Sequence, residues 1–595
     1  MDERTLRESI EQVGRGHLTR RRFVQRMLGL GLTAPMAAQM LASAGAAAQP
    51  RDPAFTPTRR GGGGDLRILM WDAPTLLHPH FGRGLRDFAV SRIFYEPLAA
   101  PSPDGTFAPV LAEEIPDPKN GGLSRDGQWV IWRLKRNVSW HDGVPFTADD
   151  VIFNWQFAID PANATSSRAA FEEVARIDKL DSHAVKVVFK KPQPFWAVIF
   201  TSGGLLPRHV FEPLKGAGAR EAVGMVKAVG TGPYKLVEFK PGDLIRAEIN
   251  PNYHVPNRPF FDRLEVKCGG DSPGAARAVL QTGEYDFAHY VLVEEEVLRR
   301  IEQGGKGRVL AIPSGGVSFI QCNQSDPWSE VDGERSSPKA SHPFLTDQSV
   351  RTALSLLVDR VSIQEHLVSR TGRITANFLN APERFRSRNA AWEFSIDRAN
   401  QILDQAGWVR GADGIRAKES KRLKMVFQAA ANSTVQKVQA VVKQAAARAG
   451  IDIEIKAIPA SVFFSADVSN LDTNVRFLAD LQTYTSFTGL DPQFFMAQFL
   501  SWELPSRDNK WTGRNISRWR NPRYDRLWRM AEVEMDPVKR AALFIRMNDM
   551  VVQSAVVIPI TWRNVLHAAA NNLGGIEPNG WDSVFGGIAY WYRQG

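Results

Sequence analysis

The chain lacks the features that would place it in several large protein classes. It has only two cysteines, Cys268 and Cys322, among 595 residues, so a disulfide-dense scaffold and paired CxxC zinc sites are both excluded. Beyond its first 48 residues there is no apolar run of about 18 residues, which argues against a membrane-spanning helix. No segment repeats at a fixed period, which argues against solenoids and propellers.

Signatures of catalysis and of nucleic-acid binding are also missing. No HExxH, GxSxG, P-loop or strand-linked GxGxxG occurs. The formal net charge is +10, but the charges are interspersed, so we expect no nucleic-acid partner. His78 and His80 form the only close histidine pair, and a loop dipeptide explains them unless further metal ligands join them. These absences favour a binding protein that is not an enzyme and has no cofactor and no resident metal.

The first 48 residues have the organisation of an export signal. A polar segment containing Arg20, Arg21 and Phe23 precedes an uncharged stretch of Gly, Ala, Leu and Met that ends in three alanines. This is the order of a signal peptide and its cleavage site, and the Thr-Arg-Arg-Arg-Phe pattern resembles a twin-arginine signal. An amphipathic helix or a membrane anchor is the alternative, although a proline and several glycines make a poor spanning helix. We therefore expect the twin-arginine translocase to deliver a soluble monomer to the periplasm.

The remaining sequence predicts a linker followed by mixed α/β structure. Residues 49–64 are rich in proline, arginine and glycine, which is typical of a flexible linker. Apolar spacing predicts a long helix over 347–368. Strand, helix and strand patterns follow one another at 423–427, 433–449 and 451–455. That order within so short a span predicts a parallel crossover unit.

Five segments, in the right order, carry a family pattern. They are LAEEI through WHDGVPFTADDV (111–151), GTGPY with NPNY (230–253), VRTA to VDR (350–360), residues 397–408, and NPRYD (521–525). Together they resemble family 5 of the solute-binding proteins of ABC importers, which includes dipeptide, oligopeptide and nickel receptors. The resemblance implies a receptor that captures a peptide or peptide-like solute and delivers it to permease subunits in the inner membrane.

The resemblance also implies the architecture. Family members have an α/β, two-lobed periplasmic binding protein fold (type II, cluster C) with a hinge, and the solute binds between the lobes. Mapped onto this sequence, lobe I comprises 65–268 with an extra subdomain at about 116–229. Lobe II comprises 269–559, and the chain returns to lobe I at 560–595.

Positions matching the family's cleft supply the predicted ligand-binding residues, with core packing as the alternative for the aromatic ones. They are Tyr95, Gln321, Asn323, Tyr484, Phe487, Thr488 and Asp491.

One departure from the family pattern bears on the ligand. Peptide receptors of the family often carry an Asp three residues before an acidic-Pro pair, and its carboxylate pairs with the peptide's α-ammonium group. Asp491-Pro492 match that pair, and Thr488 stands at the Asp position. A hydroxyl cannot neutralise an ammonium group, so we expect a solute with a blocked, absent or displaced amine, such as an opine-like conjugate, an oligosaccharide or a modified peptide. A gap at Gly489, or a role for Asp480, would change this interpretation.

Several alternatives stay open at this point. Cys268 and Cys322 either form a disulfide or remain two free thiols. A metal-chelate receptor is conceivable, with His78 and His80 as its only hint. A secreted hydrolase on the same scaffold would need a nucleophile or metal site that no motif marks, and a binder with no role in transport would use the same fold.

Overall fold

The structure is a computed structural model that describes most of the chain after residue 54. The described residues are 12, 22–23, 55–82, 84–163, 165–201, 203–216, 218–219, 227–465, 467, 469–577 and 579–594. Of the predicted export signal, Arg20 and Arg21 lie outside the described residues, whereas Phe23 is helical and buried. Among the described residues, no helix is both long and apolar enough to cross a membrane.

The structure contains both strands and helices along its whole described length. The strands are β1 (Asp65–Met70), β2 (Ala99–Pro101), β3 (Phe107–Pro109), β4 (Trp129–Arg133), β5 (Val174–Asp181), β6 (Ala184–Phe189), β7 (Tyr234–Lys240), β8 (Leu244–Ile249), β9 (Arg263–Cys268), β10 (Phe287–Ala288), β11 (Gly307–Cys322), β12 (Glu330–Val331), β13 (Glu334–Arg335), β14 (Gly372–Ile374), β15 (Val409–Arg410), β16 (Arg416–Lys418), β17 (Lys421–Arg422), β18 (Lys424–Ala430), β19 (Asp452–Ile458), β20 (Leu481–Phe487), β21 (Val557–Ala570), β22 (Leu573–Gly574) and β23 (Tyr592–Arg593). The α-helices are α1 (Gly84–Phe94), α2 (Ala148–Ile159), α3 (Arg168–Phe171), α4 (Arg208–Phe211), α5 (Ser272–Leu280), α6 (Glu295–Glu302), α7 (Gln348–Leu356), α8 (Arg360–Ile363), α9 (Ile396–Gln405), α10 (Ser433–Arg448), α11 (Ala460–Phe463), α12 (Gln493–Met496), α13 (Pro522–Val533) and α14 (Pro537–Gln553).

The chain divides into two compact units. Unit 1 comprises Met1–Ile312 and Val565–Gly595, and unit 2 comprises Pro313–Asn564. The chain passes from unit 1 to unit 2 within strand β11 and returns within strand β21. Unit 2 is therefore one continuous segment inserted into unit 1.

The main sheet of unit 1 has the strand order β10-β1-β9-β8-β7. Strand β1 is parallel to both neighbours, with Ile68 opposite Phe287 and Val266, whereas β7, β8 and β9 are antiparallel. The last part of β21 completes this sheet, with Ala569 opposite Phe287. Its central strands are buried because the mostly apolar side chains of β1 and β9 pack into the unit's core.

The predicted boundary between the lobes at 268/269 is wrong by more than forty residues, because the division lies at 312/313. Strand β10 pairs with β1, so the segment after Cys268 is part of the same sheet. Helices α5 and α6 contribute Val279 and Leu298 to a hydrophobic cluster that includes Leu566 of β21. The predicted return at 560 differs by five residues from the observed return at Val565.

A second, smaller sheet lies within the segment predicted as an extra subdomain. It has the antiparallel order β4-β6-β5 and its own hydrophobic core, which includes Trp132, Trp140 and Phe146. Helix α2 covers this core and begins with a capping box, in which Asp150 accepts a hydrogen bond from the backbone N–H of Thr147 at 2.9 Å. The cap fixes where the helix begins.

The described part of the predicted flexible linker is held against unit 1. Gly61 and Gly63 donate backbone hydrogen bonds to the carbonyl oxygens of Pro259 and Phe260. The Phe55 ring stacks on Tyr592 with 4.4 Å between ring centroids. A Cβ at Gly63 would lie 2.3 Å from the Phe260 ring, so glycine is required for this approach. The prediction of a free linker is therefore wrong for residues 55–64.

The sheet of unit 2 has the order β19-β18-β20-β11. Strands β19, β18 and β20 are parallel, and β11 is antiparallel to β20. Helix α10 connects β18 to β19, which confirms the predicted crossover unit. The predicted helix over 347–368 is wrong as one element: α7 ends at Leu356, and Asp359 caps a new helix by accepting the Ser362 N–H at 3.0 Å.

Candidate functional site

The carboxyl ends of the three parallel strands of unit 2 lie at one edge of its sheet. In open α/β sheets, ligands bind outside these carboxyl ends. Strand β20 ends at Phe487, which is opposite Gly316 near the start of the buried part of β11. Three predicted site residues, Tyr484, Phe487 and Thr488, lie at this edge. We refer to them as the strand-end site, together with Phe464, whose neighbour Phe463 packs against Tyr484 at 6.5 Å between ring centroids.

Two aromatic rings of the strand-end site are exposed. Phe487 is 59% exposed and Phe464 is 55% exposed, which is unusual for rings that bury well. Tyr484 is half-buried, and its ring packs edge-on against Phe319 at 4.8 Å between centroids. The family pattern did not indicate Phe464, and its only signal in the sequence is the aromatic pair Phe463-Phe464, which comes eight residues after the strand predicted at 451–455. Each exposed ring offers apolar contact area to a solute.

Thr488 directly follows β20 and lies against strand β11. Its backbone N–H donates to Gly315 at 3.0 Å, and its hydroxyl donates to the Gly489 carbonyl at 3.1 Å. Only 8% of the residue is exposed. A Cβ at Gly315 would lie 2.1 Å from the Thr488 carbonyl oxygen. The position is therefore tightly held, and it presents no charge to a ligand.

Both carboxylates that could replace the missing Asp in unit 2 are already bound to protein groups. Asp491 forms a two-pronged ion pair with Arg540, whose Nη2 donates at 2.9 Å, and it also accepts the Gln493 N–H at 2.8 Å. Asp480 is fully buried. Neither side chain presents a free carboxylate to a ligand's amine.

The buried Asp480 carboxylate is the common acceptor of three hydrogen-bond donors, an arrangement we call the Asp480 hub. It accepts hydrogen bonds from His342 Nε2 at 2.9 Å, from Trp328 Nε1 at 3.0 Å and from the Val426 backbone N–H at 2.6 Å. The partners come from three separate segments of unit 2. The role of Asp480 is to fix those segments to the sheet, because a buried carboxylate is stable only when its oxygens are bonded.

Gln321 and Asn323 are buried beside this edge and are also bonded within the protein. Gln321 Oε1 accepts from Gln482 Nε2 at 2.8 Å and from the Tyr484 hydroxyl at 3.4 Å. Asn323 Nδ2 donates to the Phe477 and Ala479 carbonyls at 2.9 and 3.1 Å. Burial raises the pKa of Tyr484 far above its usual range, so its hydroxyl stays protonated. Gln321 orients Tyr484, and Asn323 fixes a loop.

Tyr95 lies in the core of unit 1, where only 1% of it is exposed. A Cβ on Gly204 would lie 2.4 Å from the Tyr95 Cβ, so backbone and ring are tightly packed. Tyr95 therefore packs in the core, which was the alternative to ligand contact for the aromatic residues. Its predicted contact with ligand has no support from these contacts.

Glu96 is the counterpart in unit 1 of the buried Asp480 hub. It accepts from Thr231 Oγ1 at 2.9 Å, Tyr253 Oη at 2.8 Å and His254 Nε2 at 3.0 Å. Burial alone would raise the pKa of Glu96, but His254 and the hydrogen bonds outweigh it and hold the pKa below its usual value. A Cβ at the neighbouring Gly230 would lie 1.8 Å from the Phe94 carbonyl oxygen, so the GTGPY segment requires glycine there.

The two cysteines are free and buried, so the disulfide alternative is not realised. Cys268 ends β9 in the core of unit 1, and Cys322 ends β11 in the core of unit 2. Burial raises the pKa of each thiol to about 12, which keeps both protonated and unreactive.

The histidine pair is part of the core of unit 1. His80 Nδ1 lies 2.6 Å from Ser167 Oγ, and its Nε2 lies 3.0 Å from Asn154 Oδ1. The His78 ring packs 4.8 Å from the Phe81 ring. Over the described residues, no group of three or more His, Cys, Asp and Glu side chains is arranged to hold a metal ion. These contacts give the pair a packing role and no support for a metal-chelate site.

Comparison with known proteins decides the class. The family model "Bacterial extracellular solute-binding proteins, family 5 Middle" matches residues 106–503. The chain belongs to this family. Its members are transport binding proteins and not enzymes, so the hydrolase alternative is wrong.

Curated relatives and a solved structure agree with this assignment. The oligopeptide-binding protein AppA of Bacillus subtilis is 24% identical over 67% of this chain and 69% of its own length. The glutathione-binding protein GsiB of Escherichia coli K12 is 24% identical over 86% of this chain and 91% of its own length. The ABC transporter substrate-binding protein CtaP of Listeria monocytogenes is 21% identical with a TM-score of 0.73, over 90% of this chain and all of that one. The fold is that of the two-lobed periplasmic binding proteins.

Proposed function

We propose that this family 5 protein is the periplasmic receptor of an ABC importer. It is exported by the twin-arginine translocase, acts as a monomer and delivers its solute to permease subunits in the inner membrane. Family membership supports the receptor role, and the Arg20, Arg21 and Phe23 pattern supports the export route. The receptor makes and breaks no covalent bond. Its binding energy comes from burying the solute against apolar and polar groups.

We further propose that the solute is peptide-like but is not held by a free α-amine. The observation that carries this is the state of three side chains in unit 2. Thr488 stands where a carboxylate is expected, Asp491 is neutralised by Arg540, and Asp480 is buried under three donors. Leaving an ammonium group desolvated without a carboxylate costs about 3–5 kcal/mol. The exposed rings of Phe464 and Phe487 favour a conjugate with an apolar portion.

Calorimetric titration of the mature protein from Gln49 tests the amine prediction. Tri- and tetrapeptides would be compared with their N-acetylated forms, with opine-like conjugates and with oligosaccharides. We expect acetylated or conjugated compounds to bind at least as tightly as free peptides. Binding of a free peptide about tenfold or more tighter than its acetylated form would contradict the proposal.

Replacing Thr488 by aspartate should create the missing amine site. We expect free peptides to bind the variant about 10- to 100-fold more tightly than wild type, since a charged hydrogen bond contributes about 1.5–3 kcal/mol. Ser486→Asp is the matched control, because it adds the same charge two residues earlier on β20. Equal gains in the two variants would show that the effect is general attraction and not a site.

Truncating Phe487 to alanine should weaken solute binding with little effect on folding. The ring is 59% exposed in the free protein, so its loss removes little core, while its burial by a solute would contribute about 1–2 kcal/mol. We expect the dissociation constant measured by calorimetry to rise about tenfold and the melting temperature to stay unchanged. Val409→Ala is the control, because Val409 is 70% exposed on the hairpin of β15 and β16. Unchanged affinity in Phe487→Ala would place the solute elsewhere.

A further inference from the structure

Helix α13 of unit 2 exposes one face to solvent. Arg523, Arg526, Arg529, Met530 and Val533 are all exposed, and at about 100° per residue they fall within roughly one third of the helix circumference. The opposite face is buried, with Tyr524 and Ala531 in the core of unit 2. The exposed residues form a continuous strip along the helix, which we call the α13 face.

The charge of the α13 face is not balanced locally. Within the part of the chain that the structure describes, no carboxylate lies within ion-pair distance of Arg523, Arg526 or Arg529. Some other exposed helical arginines do pair, as Arg208 does with Glu212 and Arg299 with Glu295. The three guanidinium groups are therefore available to an anionic partner.

The carboxylate placed to pair with Arg529 is turned away from it. Asp525 lies four residues earlier, where it could pair along the helix, but it accepts the Ser501 N–H at 3.0 Å. Arg529 instead lies over the ring of Trp502, 4.6 Å from its centroid. Stacking on an aromatic ring leaves the edge of a guanidinium group free to bind carboxylates.

Exposed apolar side chains border these arginines. Trp502 is 45% exposed, Met530 is 56% exposed and Val533 is 47% exposed. Trp502 also packs edge-on against Trp528 at 6.1 Å. Arginine, tryptophan and methionine are the residues enriched at protein interfaces, whereas lysine is depleted there. Helix α13 has no lysine, so its composition fits a protein partner.

We propose that the α13 face docks onto an acidic, carboxylate-bearing segment on the extracytoplasmic surface of the membrane permease. This inference rests on the proposed receptor function. A protein partner is favoured over an anionic lipid surface because the exposed apolar side chains of Trp502, Met530 and Val533 border the arginines and helix α13 has no lysine.

The test uses a charge-reversal variant and a control with the same change of charge. The variant is Arg523→Glu with Arg526→Glu and Arg529→Glu. The control is Lys437→Glu with Lys443→Glu and Arg448→Glu, three exposed cations on α10 of the same unit. If the reversed protein melts earlier than wild type, the three Arg→Gln substitutions replace it.

Binding would be measured to the permease complex, purified with its ATPase subunits and reconstituted in phosphatidylcholine nanodiscs. We expect the α13 variant to bind about tenfold or more weakly and the control to stay within about twofold of wild type. Solute binding by calorimetry should be unchanged in both. Wild-type affinity should fall with added salt more steeply than that of the α13 variant.

The remaining outcomes separate this inference from the proposed function. If wild type binds the permease and the α13 variant binds equally well, the docking inference is wrong while the receptor function stands. If wild type binds no permease, the receptor function fails and the inference fails with it. If wild type instead sediments with phosphatidylglycerol vesicles and only that binding is lost in the variant, the α13 face contacts the membrane and the inference is wrong.

Discussion

Replacing Asp480 by alanine should lower the free energy of unfolding of unit 2 by about 3–5 kcal/mol. The substitution removes the acceptor for three donors, on His342, Trp328 and Val426, of which the His342 ring is buried. A buried donor without an acceptor loses the water that bonded it in the unfolded chain and gains nothing in return. The loss should appear as an earlier thermal transition and as faster hydrogen exchange in β18.

Asp472→Ala is the matched control for that substitution. Asp472 also forms an ion pair, with Lys456 at 2.6 Å, but both side chains are substantially exposed. Exposed pairs contribute roughly 0–1 kcal/mol, so this variant should melt close to wild type. Similar destabilisation in the two variants would show that the Asp480 hub does not hold unit 2 together.

Acidification from pH 6.5 to 4 should destabilise unit 1 through its buried histidines. Burial lowers the pKa of His80 and that of His289 to about 4, whereas an unfolded histidine titrates near pH 6.5. Between these values the unfolded chain binds a proton that the folded chain does not. Stability is therefore full above pH 6.5 and falls as the pH drops, by about 3 kcal/mol for each histidine.

Urea unfolding at several pH values between 7 and 4.5 would measure this effect. Carboxylates titrate toward the lower end of the range, so the informative quantity is the difference between variants. His80→Gln should reduce the acid-induced loss of unfolding free energy by nearly the contribution of one histidine. His183→Gln, in the half-exposed turn between β5 and β6, should leave that loss unchanged. Parallel curves for wild type and His80→Gln would contradict the prediction.

Local patterns predicted the elements of this fold well where spacing alone decides structure. The crossover of β18, α10 and β19 follows from apolar periodicity and the glycine that ends the helix, and the structure confirms it. The boundary between units was not predictable in the same way. Strand β11 runs for 16 residues across the division at Ile312. The residues Pro313 to Gly316 follow the division directly and are typical of a turn, but the strand continues through them, so they do not mark its end. The end of unit 1 depends on which strands pair with each other, and local patterns predict only which residues form strands.

The candidate site was predictable as far as the family motif reached. Phe487 ends β20 and Thr488 follows it, so the two residues that the motif indicated lie side by side at the strand-end site. Phe464 was missed, since it comes from another segment that meets β20 only in the folded chain. No local pattern indicates that Asp480 is buried and bonded within unit 2, because its partners His342 and Trp328 are more than a hundred residues away in the sequence. Such long-range hydrogen bonds leave no trace in local spacing.

The insertion of unit 2 within unit 1 sets an order of completion during synthesis. Once Asn564 has left the ribosome, every residue of unit 2 is available to fold. Unit 1 begins first, yet its sheet still awaits the end of β21, where Ala569 pairs with Phe287. The unit that starts earliest therefore finishes last, and β10, which pairs with β1 on one side, lacks β21 on its other side until nearly the whole chain has been made.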